Sequence, residues 1–107
     1  MRQTKCYEYN FHGVHKLRFV LEQYVTGNIA VEAVSNTGEP YATVSVNFPG
    51  VLDDAGDQFI CLDTNNLPDE TVKLLKKENI IEETGRQVLG DFGNTYPICK
   101  VNLELFK

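Results

Sequence analysis

The sequence predicts an α+β domain: an antiparallel sheet of five or six strands running as a meander, one short helix after the fifth strand, and a C-terminal strand. Three observations carry this. Apolar and polar residues alternate with a period of two through most of residues 4–48. Turn-forming Gly, Asn and Pro punctuate that alternation at short intervals. One stretch after Pro68 has acids first and lysines last, the charge order that suits a helix dipole. At 107 residues, with 42% hydrophobic and 23% charged, the composition is that of a globular chain, so residues 1–107 are read as a single domain.

Residues 4–11 read as the first strand, with Tyr7, Tyr9 and Phe11 against Cys6, Glu8 and Asn10. His12-Gly13 suits a two-residue hairpin turn, since Gly adopts the positive φ of a tight turn. Residues 14–25 form a long second strand with Leu17, Phe19 and Leu21 on one face and Arg18, Val20 and Glu22 on the other. Thr26-Gly27-Asn28 is the next turn. Residues 29–35 form the third strand, with Ile29, Val31 and Ala33 on one face. Asn36-Thr37-Gly38-Glu39 is a strong turn signal. Residues 41–48 form the fourth strand, in which Ala42, Val44, Val46 and Phe48 alternate with polar residues.

Pro49-Gly50 ends this run, and residues 49–57 read as an acidic surface loop. Phe59 to Leu62 is a wholly apolar fifth strand. Asp63-Thr64-Asn65-Asn66 then leads into a helix of about ten residues near Pro68, which is tolerated in a first turn. The side chains of Asp63, Asn65 and Asn66 are expected to bond nearby backbone N–H groups and cap that helix. Asp69 and Lys73 are spaced as an i,i+4 pair, and Val72, Leu75 and Leu74 face the sheet. Gly85, Gly90 and Gly93 break any periodicity over residues 79–94, so the expectation there is an ordered loop with a short strand near Val88-Leu89. Residues 95–106 read as the last strand, with Cys99, Val101, Leu103 and Leu105 on one face.

Charge narrows the partners. Residues 1–52 carry four bases and four acids, whereas residues 53–107 carry six bases and eleven acids and so hold the whole net charge of −5. Asp53, Asp54, Asp57, Asp63, Asp69 and Glu70 follow one another without an intervening base. Such a surface repels phosphate backbones, so direct nucleic-acid binding is not expected. A basic protein is the partner that an acidic surface attracts. Arg86, in a Gly-flanked loop, is read either as an internal ion pair with Asp63 or Glu83 or as an interface contact. The candidate protein interface is therefore Asp53, Asp54, Asp57, Asp63, Asp69, Glu70 and Arg86.

The motifs of catalysis are not found. His12 and His15 have no Cys or suitably spaced carboxylate beside them, and Asp53, Asp54 and Asp57 lack the spacing of a calcium loop, so no metal or cofactor is expected. Ser35 and Ser45 stand outside any nucleophile elbow, and the late glycines lack the Lys-Ser or Lys-Thr of a P-loop. The chain is read as a non-enzyme with no catalytic residue. Its three cysteines, Cys6, Cys61 and Cys99, are widely spaced and are expected as free thiols in a reducing cytoplasm. The N-terminus lacks the apolar stretch of a secretory signal, and no apolar run approaches the roughly 18 residues that span a membrane.

Four segments together resemble a family. They are Gly27-Asn28-Ile29-Ala30; Gly38-Glu39-Pro40-Tyr41 through Val44-Ser45-Val46-Asn47; Asp63-Thr64-Asn65-Asn66 with Pro68; and Thr84-Gly85-Arg86 followed by Tyr96-Pro97. The chain resembles, over residues 7 to about 103, a domain-of-unknown-function family of small proteins found on conjugative elements and phages of Firmicutes and Bacteroidetes. It departs from that pattern at Gly90-Asp91-Phe92-Gly93, where the family has a Ser-Gly-aromatic step. The resemblance implies no reaction, substrate or catalytic residue. It implies a setting, the accessory genes of mobile elements. In that setting the expected function is an acidic anti-defence protein, an anti-CRISPR-like inhibitor of a host-defence nuclease or another basic nucleic-acid-handling protein. The alternative is a housekeeping accessory of conjugation or phage growth that binds another element-encoded protein.

Overall fold

The computed structural model describes residues 2–10, 12–25, 27–48 and 58–107. Nine strands are assigned among them: β1 (Arg2–Gln3), β2 (Tyr7–Asn10), β3 (Val14–Gln23), β4 (Ile29–Ser35), β5 (Pro40–Thr43), β6 (Ser45–Val46), β7 (Phe59–Leu62), β8 (Ile81–Leu89) and β9 (Thr95–Val101). One α-helix, α1 (Asp69–Lys77), lies between β7 and β8. The α+β class, the antiparallel pairing and the single helix match the sequence reading.

The strands divide between two sheets rather than forming one. The first has the order β1-β3-β4-β5 with β2 also paired to β3, and the second has the order β6-β7-β9-β8. The segment read as one strand over residues 41–48 is what divides them. At Val44 the backbone N–H still donates to Val31 of β4 at 2.9 Å, but the Val44 carbonyl accepts from Asp63 N in the other sheet at 2.9 Å. Val31 N–H donates instead to the Ser45 hydroxyl at 3.0 Å, so a side chain replaces the carbonyl that has left the first sheet. Both Val44 and Ser45 are buried.

The core lies between these sheets and α1. Leu17, Phe19, Val31 and Ala33 from the first sheet meet Ile60, Leu62, Cys99 and Val101 from the second, as the period-two pattern requires. Leu74 and Leu75 bring α1 against them. Thr71, on the same side of α1, is also fully buried, whereas Val72 is only partly so. The helix begins at Pro68, with no side-chain cap, so the expected capping role of Asp63, Asn65 and Asn66 is corrected. It ends at Asn79 (φ 58), where Ile80 N bonds Leu75 O and Asn79 N bonds Lys76 O, with Ile80 and Leu75 both buried. That is a Schellman stop with Asn in the left-handed position. The Lys73 partner is Glu70 at 3.4 Å, not Asp69.

Four further boundaries differ from the sequence reading. The first strand is shorter than residues 4–11, because Thr4 leaves the ladder, donates its N–H to Phe19 O and accepts Phe19 N–H on its hydroxyl at 3.0 Å. Asn10 pairs with Val14, so the hairpin is wider than two residues; His12 (φ 54) and Gly13 (φ 123) both have positive φ. Residues 81–89, within the stretch read as a loop, are a nine-residue strand. The last strand stops at Val101 and is followed by a 3-10 turn at Leu103–Leu105, which brings Phe106 into the core. The chain ends pair with each other: Gln3 and Lys107 exchange backbone bonds of 3.1 and 2.9 Å, and the Arg2 guanidinium donates to the carbonyls of Leu103 and Phe106.

Ser45→Ala should lower unfolding free energy by about 1–3 kcal/mol, because Val31 N–H is left buried without an acceptor. Thr37→Ala, in an exposed turn, should cost about 0.5 kcal/mol or less. Urea unfolding of both variants checks the difference.

Candidate protein interface

The outer face of the second sheet is apolar at its centre. Alternation along the paired strands places Val46 and Phe48, Phe59 and Cys61, Tyr96 and Ile98, and Val88 on the side away from the core. Cys61 and Ile98 are buried there, beneath partly exposed Phe48, Phe59, Val88 and Tyr96. The Phe48 and Tyr96 rings lie 5.1 Å apart. Gly90 allows this packing: a Cβ there would stand 2.6 Å from the Tyr96 ring.

The β8–β9 hairpin carries two further exposed apolar side chains. Gly90 N–H donates to Asn94 O at 2.7 Å and closes its loop. Leu89 is 73% exposed and Phe92 is fully exposed. Phe92 also sits in the left-handed region (φ 59), where a residue with a Cβ is disfavoured by roughly 1–2 kcal/mol. Phe92 is therefore a large apolar side chain on a disfavoured backbone that faces solvent. Further along β8, the register breaks between Glu83 and Gln87. Thr84 repairs the ladder with its hydroxyl, which donates to Ile98 O at 2.8 Å and accepts Arg86 N–H at 3.2 Å.

The residues singled out from the sequence do not form one patch. Asp53, Asp54 and Asp57 lie outside the described residues. Asp63 is only 8% exposed, and both its carboxylate oxygens accept from Asn66 Nδ2, at 3.1 and 3.0 Å. Its carbonyl also accepts Asn66 N and Leu67 N. It therefore anchors a turn and is not an interface carboxylate. Asp69 and Glu70 are exposed on the first turn of α1, beside β2. Arg86 is exposed on the β8 bulge; among the described residues it forms no ion pair, and Glu83 pairs with Lys76 at 2.7 Å instead. The sequence reading missed Phe59, Leu89, Phe92 and Tyr96 as surface residues. Phe92 between an acid and a glycine was the available signal.

A second cluster joins α1 to the first sheet. Thr71 Oγ1 donates to Tyr9 Oη at 2.9 Å, and the Tyr9 and Tyr41 hydroxyls lie 3.0 Å apart. The His15 ring stands 5.9 Å from that of Tyr9 and 6.4 Å from that of Tyr41. Burial pushes the Tyr9 hydroxyl up to about 12. All three cysteines are free, with Cys6 exposed. Burial, with the Glu83 charge added, pushes the Cys99 thiol up to about 12, and burial raises Cys61, so both remain protonated thiols at neutral pH. Among the described residues, no group of three or more His, Cys, Asp or Glu is placed to hold a metal ion, and no helix is long and apolar enough to cross a membrane. Comparison with protein-family models, curated proteins and solved structures finds no match for the chain.

Asp63→Ala and Asn66→Ala should each lower stability by about 1–3 kcal/mol, since each removes a charge-assisted bond. The double variant should cost less than the sum, because both remove the same contact. Denaturant melts of the three variants check this.

Stability should also fall in alkali. Tyr9 and Cys99 hold their protons to about 12 when folded, against ordinary values of 10.0 and 9.0. The unfolded chain ionises first, so the stability present below pH 9 is lost progressively as pH rises toward 12. Tyr7, Tyr24 and Cys61 act in the same direction. Tyr9→Phe should flatten the decline above pH 10 in urea melts run across the series.

Proposed function

We propose that this chain is a non-enzymatic binding protein of a mobile genetic element, acting in the cytoplasm on a basic protein partner. Its most concrete form is an anti-defence inhibitor of a nucleic-acid-handling enzyme. The observation that carries the reading is the aromatic outer face of the second sheet, with fully exposed Phe92 in the turn between β8 and β9. Nearly all of that face belongs to the half of the chain that holds the entire −5 charge. An apolar centre supplies affinity, and a net negative field speeds encounter with a positive partner. The four-segment family resemblance supports the mobile-element setting. Asp69 remains an exposed carboxylate available to a partner, Glu70 is exposed but paired with Lys73, and Asp63 is buried.

Phe92→Gly separates binding from folding. It should leave stability unchanged or raise it by about 1 kcal/mol, because Gly accepts the left-handed backbone. It should weaken the complex about tenfold or more, as truncation of an aromatic anchor does. The test is affinity purification from cells carrying defence nucleases, followed by binding measurements at low and moderate salt. The wild-type affinity should fall with salt. A complex indifferent to both Phe92→Gly and salt rules out this interface. Recovery of an element-encoded protein keeps the interface but assigns the chain to conjugation or phage growth.

A further inference from the structure

At the end of the second sheet lies a cleft of about 570 Å³, between the end of α1, the start of β8, and the end of β9 with the turn after it. Register links it to the aromatic centre, because Lys100 stands opposite Phe59 on one side and Glu82 on the other. Its apolar wall includes buried Ile81 and half-buried Leu103. Lys76 and Glu83, on another wall, satisfy each other at 2.7 Å. The remaining lining charges are Glu82, Glu104 and Lys100, and none of these forms an ion pair among the described residues. Lys100 can offset one carboxylate, so the cleft is left with one negative charge beside an apolar wall.

We propose that this cleft receives an arginine or lysine side chain of the protein partner. The aliphatic stem would lie along half-buried Leu103, and the cationic head would meet Glu82 and Glu104. A long basic side chain is suited to such a mixed surface, since it carries apolar methylenes and a charged end together. The inference rests on the reading that the partner is a basic protein, and it names the part of that partner the cleft selects.

The probe is N-acetyl-L-argininamide, with N-acetyl-L-citrullinamide as a neutral control of nearly the same shape, titrated into the full chain and followed by amide NMR. The arginine probe should shift the amides of residues 81–83 and 102–104 saturably, and the citrulline probe should not. Glu82→Gln with Glu104→Gln should weaken the arginine probe at least about threefold with an unchanged melting temperature, as expected for exposed charge contacts. Equal response to the two probes, no saturable shift at these residues, or full affinity in the double variant overturns the inference. Phe92→Gly should leave probe binding intact. If the probe binds but no basic protein is recovered, the interface reading fails and the cleft stands; if a partner binds through Phe92 while the probe misses the cleft, the reverse holds.

Discussion

The fold depends on the crossing at Val44 and Ser45. A strand that stayed in the first sheet would give its carbonyl to β4. Here the Val44 carbonyl turns to Asp63 of the second sheet, while its N–H stays with Val31. A buried N–H without an acceptor is costly, and the Ser45 hydroxyl meets that demand at 3.0 Å. Tyr24 Oη, 2.9 Å from the same hydroxyl, helps to hold it in place. Because this one residue belongs to both ladders, the two sheets lie against a shared core instead of extending as a single meander.

The same chemistry recurs wherever the ladders are irregular. Thr4 offers its hydroxyl to Phe19 N–H where the N-terminal strand is interrupted. Thr84 offers its hydroxyl to Ile98 and Arg86 at the β8 bulge. In each case a short hydroxyl side chain stands where a backbone partner is missing, which local side-chain bonding allows. The bulge has a second effect. It lies on the free edge of the second sheet, where a regular strand would invite pairing with another chain, and it breaks that edge with Arg86 exposed.

That arrangement changes how the acidity of the chain is understood. Among the described residues the carboxylates are not gathered into a single negative patch. Asp63 works inside the fold, Glu70 and Glu83 each have a lysine, and Asp69 stands on a helix turn away from the second sheet. In the proposed complex the net charge would draw a basic partner near, and short-range selectivity would fall to Phe59, Tyr96 and Phe92 with the unpaired charges of the cleft. Long-range attraction and close packing are separate physical tasks, and the proposal gives them to different residues.

The sequence by itself determined the antiparallel pattern, the buried sets Leu17, Phe19, Leu21 and Val31, Ala33, the apolar strand at Phe59–Leu62 and the helix after Pro68, because these follow from period and charge order within one segment. It left β8 illegible, since a strand interrupted by Gly85 and exposed over most of its length carries no clean alternation. It left Asp63 as a cap or an interface carboxylate and Arg86 as an ion-pair partner or an interface contact, because the residue types permit each role and only the folded backbone gives Asn66 to Asp63 and Lys76 to Glu83. Only the tertiary structure decided that residues 40–46 divide between two sheets, because that depends on which acceptor the Val44 N–H and which donor the Val44 carbonyl meet. The candidate interface follows from the same decision: Phe48, Phe59 and Tyr96 come from three segments, and only strand pairing places them side by side.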